Sequence, residues 1–247
     1  MNFRIPKFLS KFDAIALSLF LLASAGLATY LSNKYTPQVL TAALPAPSDM
    51  VKAGLQAPQV ETDTAVFAGG CFWGVQKVFQ HTKGVISATS GYAGGKEKDA
   101  IYSMVSTGSS GHAEAVQVRF DPKQVSYEEL LQVYFSVAHD PTQRNAQYPD
   151  EGPQYRSAVF YTNDYQKLLT ERYIMQVDGL AVFTKPIATV LTPLADSGFY
   201  RAEAVHQNYA TRYPNNAYIA QFDLPKLEKF KELMPVLYKE NPVLLLN

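Results

Sequence analysis

Apolar positions along the chain fall into short blocks with two different periods. Residues 64–68 form a continuous run, Thr-Ala-Val-Phe-Ala, closed by Gly69 and Gly70, which predicts a short buried strand. Directly after it, apolar side chains recur at Phe72, Val75, Val78 and Phe79, the spacing of a helix. Residues 85–91 predict a second strand, followed by the glycine-rich loop 92–95. From 113 to 120 the chain alternates, with Glu114, Val116, Val118 and Phe120 on one face and Ala113, Ala115, Gln117 and Arg119 on the other, which predicts a third strand with only one apolar face. Ser126 followed three residues later by Glu129 predicts a capped helix that runs to Val137. A long loop over 139–154 leads to a strand at 155–161. A helix over 164–177 follows, capped by Asn163 or Asp164. A further short strand is expected at 188–191, and a helix from Pro225 to about Leu237. The core order strand–helix–strand–strand–helix–strand predicts an α+β fold: a ferredoxin-like (split βαβ) two-layer sandwich with an irregular C-terminal extension.

The first residues break this pattern. Arg4, Lys7 and Lys11 precede an uncharged apolar run over 14–31, at the lower limit for a membrane span. Residues 1–34 therefore predict an uncleaved signal anchor. A cleaved signal peptide is the alternative, because Ala23-Ser24-Ala25 fits a small-residue cleavage site. Either one exports the remainder, which predicts a periplasmic protein tethered to the inner membrane. Residues 35–63, with Pro37, Pro45, Pro47 and Pro58 and no apolar period, predict a Pro/Ala-rich linker ahead of a folded domain over 64–247.

Composition narrows the chemistry. Lys and Arg number 22 against 22 Asp and Glu, so there is no basic footprint for nucleic acid. Four histidines show no metal-binding spacing, and a metal centre is not expected. Cys71 is the only cysteine, which excludes an intramolecular disulfide and any paired-cysteine motif. It stands in Gly-Gly-Cys-Phe-Trp-Gly at a strand-to-helix turn. There the first helical N–H groups and the dipole favour a thiolate, so the thiol is expected below its usual ~8.5. The competing reading is a small buried hydrophobe. Glu114, in register with Val116 and Val118, is either a buried carboxyl with a raised pKa, suited to general-acid work, or an edge glutamate reaching solvent. Tyr102 and Tyr155 are neutral hydrogen-bond donors or packing residues, and Asp150 is a site residue or a turn former. Phe72 and Trp73 form an aromatic wall beside the nucleophile or belong to the core. On these residues alone the classes left open are thiol redox chemistry, a cysteine hydrolase with His112 or His206 as base, a membrane-tethered thiol peroxidase, and a non-catalytic binding module.

Six ordered strings carry a resemblance. They are Gly-Cys-Phe-Trp-Gly at 70–74, Gly-Tyr-Ala-Gly-Gly at 91–95, Tyr102 followed by Ser106-Thr107-Gly108 and Gly111-His112-Ala113-Glu114, His-Asp-Pro-Thr at 139–142, Gln-Tyr-Arg-Ser at 154–157, and His-Gln-Asn-Tyr at 206–209. Over residues 64–238 the chain resembles the A-class peptide methionine sulfoxide reductases. The resemblance implies that Cys71 is the nucleophile and becomes a sulfenic acid, that Glu114 protonates the sulfoxide oxygen, and that Tyr102 and Tyr155 donate hydrogen bonds to it. It further implies that Phe72 and Trp73 hold the substrate methyl group and that Asp150 contacts the substrate side of the pocket. Substrates would be oxidised proteins or free methionine sulfoxide, of the S epimer. No metal and no organic cofactor are implied, only an external thiol reductant: thioredoxin, a glutaredoxin-like protein or a small thiol. Many members carry a second, resolving cysteine. Here Ser106 occupies one such position and the tail has none, so an external thiol must reduce the sulfenic acid directly. Ala146, Tyr148 and Val205 also depart from the family pattern, which predicts altered packing of the substrate loop. A monomer is expected.

Overall fold

One sheet organises the described residues; the short strand expected at 188–191 closes one edge, at 190–193, and a segment missed by the apolar pattern, 199–201, closes the other. The computed structural model describes residues 38 and 40–246. The apolar run 14–31, and with it the anchor and signal-peptide readings, lies outside the described residues. Among the described residues no helix is long and apolar enough to cross a membrane. In chain order the principal elements are α1 (Asp49–Lys52), β1 (Asp63–Ala68), α2 (Phe72–Gln80), β2 (Val85–Ala93), α3 (Tyr102–Val105), β3 (Ala113–Phe120), α4 (Tyr127–Val133), β4 (Ala146–Gln147) and β5 (Asp150–Glu151). They continue with β6 (Ala158–Tyr161), α5 (Asp164–Gly179), β7 (Val190–Pro193), β8 (Phe199–Arg201), α6 (Tyr209–Arg212) and α7 (Leu224–Leu233).

The six-stranded sheet has the order β7-β6-β1-β3-β2-β8, and the small hairpin β4-β5 stands apart from it. All pairings in the large sheet are antiparallel except β6 with β7. The fold is mixed α/β, with helices packed on an apolar sheet face. On that face Val116, Val118 and Phe120 of β3 share one core with Val75, Val78 and Phe79 of α2 and Leu130 and Leu131 of α4. Phe67 of β1 lies at its centre, stacked on Phe79 at 5.1 Å and on Tyr134 at 4.8 Å between ring centroids. Each such buried ring contributes about 1.5–3 kcal/mol by removal from water. The capping box forms as its sequence implies: the Glu129 N–H donates to Ser126 Oγ at 3.2 Å, and the Ser126 N–H donates to Glu129 Oε2 at 2.8 Å. Asn163 caps α5 by accepting the Gln166 N–H at 2.9 Å.

Three expectations are corrected. Ala113 and Ala115 do not face solvent. They join Val66, Ala68, Ala93, Ala158 and Phe160 in a second small core on the other side of the sheet, which Phe199 and Leu194 cover. The expected strand over 155–161 begins only at Ala158, because Tyr155 still belongs to a turn after Gly152. The Pro/Ala-rich stretch is not a free connection over its described length. Leu44 is 2 % exposed and sits in the main core with Val51. Around it, the Leu44 N–H donates to Ser136 Oγ at 3.0 Å, Gln132 Nε2 donates to the Leu44 carbonyl at 2.6 Å, and Tyr173 donates to the Pro45 carbonyl at 2.8 Å. Its few apolar residues are irregularly spaced, so no period betrays them, yet Leu44 and Val51 join the core and Leu40 and Leu55 pack against it, while Met50 and Val60 stay exposed.

Candidate active site

The turn from β1 into α2 sets the nucleophile. Gly70 has φ +86°, and a Cβ there would lie 2.5 Å from Gln147 Cβ, so only glycine lets the β4 residue close over the turn. Cys71 is the N-cap residue of α2 and, 7 % exposed, belongs to the main core. Helix α2 itself is buried on nearly every side. Its polar residues are met by the C-terminal extension: Gln76 Nε2 donates to Gln207 Oε1 at 3.0 Å, and Gln80 Nε2 donates to Asn208 Oδ1 at 2.7 Å. Gly74 faces the same extension. A Cβ there would lie 2.1 Å from Asp223 Oδ1.

Glu114 is 2 % exposed, which removes the solvent-facing alternative. Its Oε2 accepts the Phe72 N–H at 3.0 Å, so the carboxyl lies against the first residue of α2 and beside the thiol. Burial pushes it up to about 8. The Phe72 N–H opposes this, and the charges of Asp150 and Asp223 add to it. Glu114 therefore carries a proton at neutral pH.

The expected lowering of the Cys71 thiol is overturned. Burial pushes it well up, and the negative charges of Glu114 and Asp223 push the same way. The Trp73 N–H, the one helix-terminus donor that reaches the sulfur, opposes them and loses. Three carboxyl groups, those of Glu114, Asp223 and Asp150, come to the thiol from distant parts of the chain and outweigh the helix terminus.

Tyr102, Tyr155 and Asp150 lie within electrostatic reach of Cys71. The charges of Glu114 and Cys71 act on both Tyr102 and Tyr155, whose phenols burial first of all pushes up and keeps protonated. Asp150, on β5, is half-buried and raised by burial, and its carboxylate accepts the hydroxyl of Tyr218. Trp73 stacks on Tyr209 at 3.9 Å and meets Tyr218 edge-on at 6.1 Å, while Phe72 lies 5.4 Å from the His206 ring. Tyr209, Tyr218 and Asp223 are participants the sequence reading missed, and His206, considered there only as the base of a hydrolase, packs on the aromatic wall instead. His206 and Tyr209 stand in one of the six strings without a role, whereas Tyr218 and Asp223 lie in a stretch with no motif. Among the described residues no cluster of three or more His, Cys, Asp or Glu is arranged to hold a metal ion. No histidine among them hydrogen-bonds Cys71. His112 is engaged elsewhere, by the Gly95 N–H at 3.2 Å and the Lys96 carbonyl at 3.0 Å. The arrangement is a soft nucleophile beside a protonated carboxyl and neutral phenols under an aromatic wall. It suits attack on a soft centre with protonation of a departing oxygen.

A family model described as peptide methionine sulfoxide reductase matches residues 63–236. The chain belongs to the peptide methionine sulfoxide reductase family. It is 53 % identical over 186 residues to the peptide methionine sulfoxide reductase MsrA 2 of Mesorhizobium japonicum, which spans 75 % of this chain and 94 % of that protein. It is 44 % identical over 176 residues to MsrA of Thermus thermophilus, covering 70 % of this chain and 97 % of the relative. Among solved structures it is similar to methionine sulfoxide reductase A of Corynebacterium diphtheriae, with a TM-score of 0.55 and 32 % identity over 72 % of this chain and 90 % of that one. It is also similar to Mxr1 of Saccharomyces cerevisiae in reduced form, with a TM-score of 0.56 and 30 % identity over 66 % and 92 %. The protein is thus a peptide-methionine (S)-S-oxide reductase. Its reaction is the reduction of methionine sulfoxide, which selects the thiol redox class among those the residues alone leave open. In this reductase Tyr148, one of the departures in the substrate loop, packs edge-on against Phe222 at 5.8 Å, and Val205, another, is exposed.

Proposed function

We propose that this reductase returns methionine S-sulfoxide, free or within proteins, to methionine through a sulfenic acid on Cys71, and that it repairs oxidised exported proteins. The observation that carries the reading is the shared pocket of Cys71 and Glu114, in which a buried carboxyl that holds its proton hydrogen-bonds the amide next to the thiol. In the proposed step the Cys71 sulfur attacks the sulfoxide sulfur while Glu114 gives its proton to the sulfoxide oxygen. The thiol's own proton returns to Glu114. The hydroxyl then passes from the substrate sulfur to Cys71: the substrate S–O bond and the new S–S bond both break, a Cys71 S–O bond forms, and methionine leaves. The methionine sulfur gains two electrons and the cysteine sulfur loses two. Tyr102 and Tyr155 donate to the oxygen as it acquires charge, and because burial keeps both phenols protonated they act as donors throughout. Phe72 and Trp73 hold the methyl group, and Asp150, tied to Tyr218, lines the substrate side.

Because the chain has one cysteine, the sulfenic acid is reduced by an external thiol. That thiol forms a mixed disulfide with loss of water, and a second thiol resolves it. Thioredoxin, a glutaredoxin-like protein or a small thiol meets this requirement, with no metal or organic cofactor. Residues 1–34 are read as an uncleaved anchor that tethers a monomeric domain in the periplasm, and 64–247 as the catalytic domain. The inner strand order β6-β1-β3-β2, antiparallel throughout, supports the ferredoxin-like reading. The test supplies each purified epimer of methionine sulfoxide with dithiothreitol to the wild type and to Cys71→Ser. Turnover confined to the S epimer and lost in the variant is the expected result. Turnover of the R epimer, or an active variant, overturns the reading.

A further inference from the structure

We propose that Glu203 is a positioning residue that fixes Tyr102 over the Cys71 pocket. The inference rests on the reading of Tyr102 as a donor to the sulfoxide oxygen.

Tyr102 is poorly supported by its own neighbourhood. It opens α3, a helix of 4 residues whose N-cap, Ile101, makes no side-chain cap bond. A helix this short has no stability of its own, and Tyr102 is 37 % exposed. Its support comes from the C-terminal extension, a hundred residues further along the chain. Glu203 Oε1 accepts the Tyr102 N–H at 2.8 Å, which supplies the missing cap from outside. Glu203 Oε2 accepts the hydroxyl of Tyr92 at 2.8 Å. Tyr92 is fully buried and pairs directly with Glu114 across β2 and β3. One carboxylate therefore fastens the tyrosine loop to the strand that flanks the acid. The next turn completes the grip: the His206 ring lies on the Tyr102 ring at 4.4 Å and on Phe72 at 5.4 Å. Glu203 thus holds the backbone of Tyr102 and His206 holds its ring.

The character of the bonds argues for position over stability. The Glu203 side chain is 43 % exposed, and the nearest cation, His206 when protonated, is 4.0 Å away. An exposed carboxylate paired that loosely contributes little to folding. What Glu203 does hold is two uncharged donors, each short and each on a different part of the site wall.

The test is a double-mutant cycle on the full chain, with methionine S-sulfoxide and dithiothreitol. Glu203→Ala is expected to lower kcat/KM about tenfold, and to cost less than about twofold when added to Tyr102→Phe, because both changes remove the same donor. Glu203→Gln, whose amide oxygen still accepts the Tyr102 N–H and whose NH₂ can donate to the Tyr92 oxygen, is expected to stay within about threefold of wild type. Tyr92→Phe removes one of the two anchors and no ring. It reads the same coupling to Tyr102→Phe should Glu203→Ala not fold. Fully additive losses, or a folded Glu203→Ala with wild-type kcat/KM, overturn the positioning role and leave the reaction intact. A Tyr102→Phe variant as active as wild type overturns the reading of Tyr102, and the positioning role with it. An active Cys71→Ser overturns the reaction itself.

Discussion

Glu114 and Cys71 are each held in the protonated form by the same apolar surroundings, and each would make the other harder to ionise. For Glu114 this sets the pH dependence. Its proton is held up to about pH 8, so kcat/KM is expected to fall as pH rises through that value. The same shift acts on stability with a definite sign. A carboxyl whose pKa is raised on folding stabilises fully below its ordinary value, and that contribution is lost as pH rises through the folded value. Glu114→Gln is therefore expected to melt higher than wild type at pH 9, with a gap that shrinks toward pH 5, while turnover falls. Thermal scans at the two pH values check this. For Cys71 the expectation is slow alkylation by iodoacetamide near neutral pH. Above pH 8, where the Glu114 charge opposes the thiolate, Glu114→Gln is expected to alkylate severalfold faster. The position of Cys71 is legible from its glycines and aromatic neighbours, because local geometry is written locally. Its ionisation state is not, because its burial and the carboxyl groups of Glu114, Asp223 and Asp150 come to it only through the fold.

At the scale of elements, α2 shows how closely the C-terminal extension is fitted. Gly74 is where they meet, against Asp223, which is buried and ion-paired to Lys226 at 3.1 Å. Gly74→Ala drives a methyl into that carboxylate and is expected to cost about 1–3 kcal/mol, read from urea unfolding. The capped helices and the four inner strands are readable in the sequence because each has a long apolar period or a side-chain cap. The edge strand β8, with only 3 residues, and the hairpin β4-β5 carry no period and are specified by what they pair with. The second face of β3 was misread for a related reason: Ala113 and Ala115 look neutral alone and become core only because Phe199 of β8 lies over them.

For the whole molecule, the stretch ahead of β1 is part of the folded body from Leu40 onward. Leu44→Ala is expected to destabilise by about 2–5 kcal/mol, the range for emptying a buried leucine site, with kcat unchanged because the hydrogen-bond partners of Leu44, Ser136 and Gln132, are not pocket residues. Equilibrium unfolding and steady-state turnover together check this. The scarcity of sulfur nucleophiles also makes the chemistry countable, since there is one cysteine to receive one oxygen. The most direct measurement mixes the enzyme with one equivalent of methionine S-sulfoxide in the absence of any thiol and follows intact mass, peptide mapping and released methionine. One methionine per chain and a gain of about 16 Da confined to Cys71, as expected for a sulfenic acid, is the predicted result, with the rate sharply reduced in Glu114→Gln. Methionine release without modification of Cys71, or an undiminished rate in Glu114→Gln, would contradict it.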